Sequence, residues 1–332
     1  MNAAAVRILG LIACFLLPVS STGEASLQEG DVVVAAFNRS IHAVDSGTGA
    51  ITSVSEDGQF NVPMNVAILP DGLSLFVADQ SASGGTIFRI DQFQGPQDVV
   101  VSGSAVNGVN ALALGSDGFL YATRLSGGAG AAGIVRVNTL TGDVVPVSVG
   151  GNLALPRDLE FAADGALYVL DVLYNDGTGT GGGAIIRVDT VTGTQTIVSS
   201  GQYFQSVQGM GSAADGKFYV VQFRPFARVI EVDGTTGIQS LVTERGMFDA
   251  PRDVAVERNG NLLVSDGTPF VPCGVDSCVL PAIIRVDRTT GAQSVLVSGP
   301  PLRDLSGIVI LEGGGVIGNL PTSWGRMKSI YR

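Results

Sequence analysis

Histidine is almost missing from this sequence: 332 residues contain one, His42. It stands in Ile41-His42-Ala43-Val44-Asp45, a strand pattern in which a partly buried sheet residue is expected rather than a base. A histidine-dependent lyase would need that residue elsewhere, on a loop rim. G-x-S-x-G, H-E-x-x-H and phosphate-loop patterns are also lacking, and the glycine-rich stretch Gly177 to Gly183 reads as a loop, not a nucleotide clamp. Charge is scarce as well. Only 15% of residues are charged, and 19 Lys and Arg against 30 Asp and Glu leave a formal net charge of −11. Such a balance lacks the basic surface that a phosphate backbone requires, so nucleic acid is not an expected partner.

Long apolar runs are absent beyond the N-terminus. There Arg7 precedes Ile8 to Pro18, followed by small and polar residues up to Ala25, the layout of an export signal. Residues 1–25 are therefore expected to be a signal peptide and 26–332 a single mature domain, secreted or periplasmic. The apolar core is too short for a membrane span. A competing reading takes Leu11-Ile12-Ala13-Cys14 as a lipoprotein processing box, with a lipid anchor on Cys14 after a brief apolar segment. Of three cysteines, Cys273 and Cys278 then remain, in a long loop, and a local disulfide is expected in an oxidising compartment. No further Cys or His stands nearby to make them a metal site.

What the sequence does hold is glycine, 46 residues, with 45% hydrophobic residues. That mixture suits many short buried strands joined by tight turns. In Asp164 to Val198 a strand, Leu167 to Leu170, is followed by a glycine-filled loop, by Ile185 to Asp189, by a Thr-Gly turn and by Thr196 to Val198. The unit recurs. Asp71-Gly72, Asp117-Gly118, Asp164-Gly165, Asp215-Gly216, Asn259-Gly260 and Gly313-Gly314 follow one another at intervals of roughly 44 to 54 residues, the length of a four-stranded propeller blade with variable loops.

The expected fold is all-β, a β-propeller of four-stranded antiparallel blades. Seven second-strand segments, from Val32 to Ala35 through Val316 to Asn319, favour seven blades, with Ala25 to Glu29 supplying the seventh first strand. In the six-bladed alternative, Ile308 to Leu311 completes a blade with the N-terminal strands. Either count can close the ring by joining strands from both ends. Residues two apart share a face of a strand, so Arg89, Arg136, Arg187 and Arg285 lie with Ile87, Ile134, Ile185 and Ile283. Their stems should line blade interfaces, a structural role.

The recurring Pro-x-(Asp or Asn)-Val-Ala, Asp-Gly-x-Leu-Tyr-Val, Ile-x-Arg-Val-Asp and Thr-Gly elements resemble the NHL-repeat and related six- or seven-bladed β-propellers. The clearest are Pro156-Arg157-Asp158-Leu159-Glu160-Phe161 and Pro251-Arg252-Asp253-Val254-Ala255-Val256. The resemblance covers nearly the whole mature chain. It implies architecture more than activity, because such propellers include adhesion and scaffold modules, lactonases, lyases and peptidyl-glycine-processing enzymes.

Loops joining second to third strands share a face with those joining blades, and the long ones gather there: Gln80 to Thr86, Leu125 to Gly133, Val172 to Ala184, Gly267 to Ala282 and Leu320 to Lys328. With Tyr174, Phe204, Phe248, Phe270, Val271 and Trp324 they should form a contact face. Just before each first strand come Asn65, Asn110, Arg157, Asp158, Gln208, Arg252 and Asp253, the candidate ligand-binding residues at the mouth of the channel. Asp79, Asp171 and Asp266 end second strands on the same side.

Two functions fit. One is an exported binding or scaffold propeller whose long-loop face meets a periplasmic or extracellular protein, a carbohydrate or a small molecule. The other is a metal-dependent hydrolase or lyase, lactonase-like, with Ca²⁺ or another divalent cation on Asn65, Asp158 and Asp253 and with Asp171 or Asp266 as base. Salt bridges from Arg157 and Arg252, or backbone amides, would tie off the same carboxylates without a cation.

Overall fold

The computed structural model describes residues 27–69, 74–81, 84–91, 93–125, 130–174, 182–273 and 276–311. The expected signal peptide, Cys14, Trp324 and the segment Val316 to Asn319 lie outside them.

Strands β1 (Val32–Ala36), β2 (Ser40–Val44) and β3 (Ile51–Glu56) are followed by four-strand sets in chain order. The second blade holds β4 (Pro63–Ile68), β5 (Leu75–Ser81), β6 (Gly84–Ile90) and β7 (Asp98–Gly103); the third β8 (Leu112–Leu114), β9 (Leu120–Arg124), β10 (Gly133–Val137) and β11 (Val144–Val149). The fourth holds β12 (Pro156–Phe161), β13 (Leu167–Asp171), β14 (Ala184–Val188) and β15 (Gln195–Ser200); the fifth β16 (Val207–Ser212), β17 (Lys217–Gln222), β18 (Arg228–Asp233) and β19 (Gln239–Glu244). In the sixth, β20 (Pro251–Val256) and β21 (Leu262–Asp266) are separated from β24 (Ala282–Val286) and β25 (Gln293–Ser298) by the hairpin β22 (Phe270–Cys273) and β23 (Asp276–Val279). The last strand, β26 (Leu305–Ile310), pairs with β1 and completes the first blade.

Turn chemistry explains why the unit repeats. Asp45, Asn138, Asp189, Asp233 and Asp287 each end a third strand and accept two backbone amides of the turn that follows, from Gly47 and Thr48 in the first case and from Val191 and Thr192 in the third. Those bonds hold the Asp45, Asp189, Asp233 and Asp287 carboxyls below their ordinary range. The glycine closing each turn takes a positive φ, +73° at Gly193, and a Cβ there would lie 2.6 Å from the Val147 carbonyl oxygen of the preceding blade. Only glycine meets both demands. At the opposite turns the Tyr121 hydroxyl donates to Asp117 at 2.8 Å and that of Tyr168 to Asp164 at 2.9 Å.

Middle strands are buried on both faces, and alternate residues serve different neighbours. In β1, Val33 and Ala35 join a core with Val66, Leu75 and Phe88 of the second blade, while Val32, Val34 and Ala36 pack with Leu263 and Ile283 of the sixth. Six such apolar layers occur, one between every pair of neighbouring blades. The guanidinium of Arg89 lies 6.0 Å from the Phe76 ring and that of Arg136 is 4.5 Å from that of Phe119, on the interface faces expected for them.

Those six layers correct the expectation of seven blades. The innermost strands β26, β4, β8, β12, β16 and β20 touch in succession round the axis, and β26 meets both β20 and β4. A ring closed this way has no gap for a seventh sheet. Ala25 to Glu29 does not supply a first strand either: from Leu27 onward the chain makes a turn, with the Asp31 carboxylate accepting from the Gln28 amide at 2.7 Å. The six-bladed alternative, with strands from both ends in one blade, is the one adopted.

A further set of bonds was not anticipated. Gln195, Gln239 and Gln293, opening fourth strands, reach back to the preceding blade. In Gln195 the side-chain oxygen accepts from the Asn152 amide at 2.7 Å and the nitrogen donates to Ser148 Oγ at 2.9 Å. Gln239 and Gln293 repeat the clip, and Gln97 makes it between the first two blades.

Candidate functional site

The polar residues of the channel mouth owe their placement to one irregularity. Register shifts occur between Pro63 and Asn65, Pro156 and Asp158, Val207 and Gly209, and Pro251 and Asp253. The extra residues at these bulges are Met64, Arg157, Gln208 and Arg252, and a bulge re-aims a side chain away from the regular pleat. Together with Asn110, from the third blade, the residues at and after these bulges bring all seven expected ligand-binding residues, Asn65, Asn110, Arg157, Asp158, Gln208, Arg252 and Asp253, to a single cavity. Its volume is about 20 Å³, room for one water-sized group at the floor of the mouth.

Round the ring the residue after the bulge alternates between polar and small. Asn65, Asp158 and Asp253 stand in the second, fourth and sixth blades; Ala111, Gly209 and Gly307 stand between them. Each polar residue accepts an amide from the next blade: Leu112 to Asn65 at 3.2 Å, Met210 to Asp158 at 2.7 Å and Ile308 to Asp253 at 2.9 Å. The glycines make room for them. A Cβ on Gly307 would fall 2.7 Å from the Asn65 Cα, and one on Gly209 would overlap the Asp253 carboxyl.

Across Gly209 the Asp158 and Asp253 carboxyls influence each other's protonation, and two buried carboxyls coupled in this way favour holding one proton between them. Burial pushes Asp158 up to about 6, and burial together with the Asp158 charge holds Asp253 well above its usual range. The remaining oxygens are committed, since the Leu159 and Val254 amides donate to them at 2.8 Å each. The pair and its amide donors therefore involve four blades, the fourth, fifth, sixth and first.

Asp79, Asp171 and Asp266 have similar employment. Asp171 and Asp266 are 0% exposed. Asp171 accepts from the Ala154, Leu155 and Leu173 amides, Asp266 from those of Asp249, Ala250 and Thr268, and Asp79 from that of Asn61. Burial pushes Asp79 and Asp266 up to about 6 and raises Asp171 as well. Among the described residues no group of three or more His, Cys, Asp or Glu is placed to hold a metal ion.

The arginines differ from these carboxyls in having donors to spare. Arg157 gives one side-chain hydrogen bond, from Nη2 to Gln208 Oε1 at 2.8 Å. Arg252 lies with its guanidinium 4.7 Å from the Phe223 ring and 5.6 Å from that of Phe37. Among the described residues neither arginine has a carboxylate within ion-pair distance. Burial and then the charge of Arg252 lower the pKa of Arg157, against the opposing pull of Asp158 and Asp253.

Phe37 and Phe223 were not picked out from the sequence. Each opens the short turn between second and third strands in a blade without a long loop there, and that position was the available signal. Conversely, three residues expected on the contact face are core: Phe204 is 0%, Phe248 3% and Val271 1% exposed. Phe270 is the exposed one, and Tyr174 leans on the core between the third and fourth blades. His42 is buried with Nε2 2.9 Å from Ser40 Oγ, and burial lowers its pKa.

The long loop expected around the cysteines is a hairpin whose register sets Cys273 against Asp276 and Cys278 against Val271. Cys278 is disulfide-bonded, while the side chain of Cys273, its expected partner, lies outside the described residues.

No family model and no curated relative matches the chain. Solved structures do. A chain of the nidogen/laminin complex is similar over 85% of this chain and 98% of its own, at 14% identity and a TM-score of 0.66. TolB from Acinetobacter baumannii is similar over 86% of this chain and 68% of its own, at 15% identity and a TM-score of 0.61. The periplasmic gluconolactonase of Pseudomonas aeruginosa covers 85% and 99%, at 13% identity and a TM-score of 0.56. At such identities the likeness is one of architecture, and the chain is a β-propeller of six four-stranded blades.

Proposed function

We propose that this chain is an exported binding propeller, acting through the face that carries the channel mouth and the long loops. Export rests on the N-terminal pattern of Arg7 and Ile8 to Pro18, with residues 1–25 removed and 26–332 left as one domain. TolB and a periplasmic gluconolactonase share the fold, which suits that compartment. Among the described residues no helix is long and apolar enough to cross a membrane.

One observation carries the choice of binding over hydrolysis. The carboxyls that a divalent cation would need, Asp158 and Asp253, are occupied by backbone amides and by each other, with Arg157 and Arg252 in the same cavity. A cation would have to strip those bonds and sit against two guanidinium groups. The alternative bases Asp171 and Asp266 are fully enclosed.

Calorimetric titration of Ca²⁺ into metal-stripped protein tests this reading. It is expected to give no saturable heat in the wild type, in Asp158→Asn or in Asp253→Asn. Saturable binding in the wild type that either substitution abolishes would overturn it in favour of the metal-dependent hydrolase.

A further inference from the structure

Within the binding reading just given, on which this inference rests, we propose that the channel mouth is a carboxylate receptor, with Arg157 and Arg252 as the groups that grip the ligand. The two residues are the bulged positions of β12 and β20, in blades four and six, and both line the small cavity at the mouth. A guanidinium carries five N–H donors in a planar fork. Arg157 uses one on Gln208, and Arg252 gives none to an acceptor among the described residues. Its plane is instead fixed by Phe37 and Phe223, an arrangement that holds the fork rigid while leaving its edge available.

Nearby negative charge does not take up those donors. Asp158, Asp253 and Asp266 each accept backbone amides on both carboxyl oxygens. At longer range Arg252 feels Asp266 and Asp304, with Arg224 acting in the opposite sense. Arg224 itself is paired with Asp249 and Thr268. Two half-buried guanidiniums, one of which disfavours the charge of the other, are relieved by an anion placed between them. The cavity has room for about one water-sized group, so the ligand enters by one oxygen of a terminal carboxylate, with the rest of the molecule outside on the long-loop face. Free organic acids and peptide C-termini both present that group.

The test is calorimetry on the mature protein with four probes: malonate, its neutral counterpart malonamide, triglycine and triglycine amide. At least one carboxylate probe is expected to bind saturably while its amide does not, and the pair that responds identifies the source as a small acid or a chain end. Arg157→Gln and Arg252→Gln should each weaken binding roughly tenfold or more, and Arg252→Lys should restore only part of it, since charge without the fork is a poorer match. Raising salt to about 0.5 M should weaken it too. Should Arg252→Gln fail to fold, Arg157→Gln and the amide controls still decide. The proposal is overturned if neither carboxylate binds better than its amide, or if folded Arg157→Gln and Arg252→Gln bind as the wild type does. Silence from these probes together with silence from Ca²⁺ removes the carboxylate receptor while leaving a binding role for the loop rim intact.

Discussion

Replacing Asp253 by alanine is expected to cost about 2–5 kcal/mol of folding stability, measured by urea denaturation at neutral pH. The reason is the number of groups that one carboxyl satisfies. Val254 and Ile308 would lose their buried acceptor, Asp158 would lose its proton-sharing partner, and the contact between the sixth and first blades would loosen. Asp253→Asn should cost less, roughly 1–2 kcal/mol, because one oxygen still accepts an amide and the new N–H replaces the shared proton. The ranking of the two variants is the informative result. Equal losses would mean that the asparagine amide replaces none of the bonds the carboxyl makes.

The same residue predicts the pH profile. Asp79, Asp158 and Asp266 are pushed up to about 6, and Asp171 and Asp253 are raised too. A raised carboxyl binds its proton more tightly in the native state, so its stabilisation is present at low pH and is lost as pH climbs through about 6. Asp45, Asp189, Asp233 and Asp287 are lowered and work in the opposite sense, losing their contribution as pH falls below the ordinary carboxylate range near about 4. The melting temperature should therefore rise on acidification from neutral pH, pass through a maximum between about 4 and 6, and then drop. In Asp253→Asn the rise should shrink, since the dyad no longer takes up a proton.

A second large effect is expected from ending the chain after Asp304, which removes β26. That strand pairs with β1, gives the Ile308 amide to Asp253, and holds two neighbours through Ser306: its Oγ donates to the Pro63 carbonyl at 3.0 Å, and its carbonyl accepts from Ser265 Oγ at 2.7 Å. It also contributes Leu305 and Ile308 to the layer between the sixth and first blades. Without it the ring is open, and the innermost edge of the first blade faces the channel unpaired. The loss should approach the whole folding stability, on the order of 5–15 kcal/mol, and circular dichroism should show no cooperative urea transition. A synthetic peptide spanning 300–311 should restore the transition by strand addition. A sharp transition in the truncated chain alone would contradict the closure described.

Blade chemistry was legible because it is local. Asp-Gly and Thr-Gly turns, and the alternation along segments such as Ile185 to Asp189, need only neighbouring residues to be recognised. The blade number was less so, because it depends on which strand pairs with β1 from the far end of the chain. All seven mouth residues were visible as the positions before each first strand, but their roles were not. The hydrogen-bond partners of Asp158 and Asp253 could not be read, because the amides they accept come from other blades. Phe37 and Phe223 were hidden because what matters is their meeting over Arg252 from the two blades that flank its own, far apart in sequence. The glutamine clips could have been found, since Gln follows the Thr-Gly turn by two residues at Gln195, Gln239 and Gln293.

The most direct test is a crystal structure of the mature protein grown near neutral pH with both malonate and calcium present. The expected density is a carboxylate group held by the guanidiniums of Arg157 and Arg252, with Asp158 and Asp253 still bonded to each other beneath it. A calcium ion ligated by Asn65, Asp158 and Asp253, with the arginines turned away, would contradict that outcome and restore the cation site.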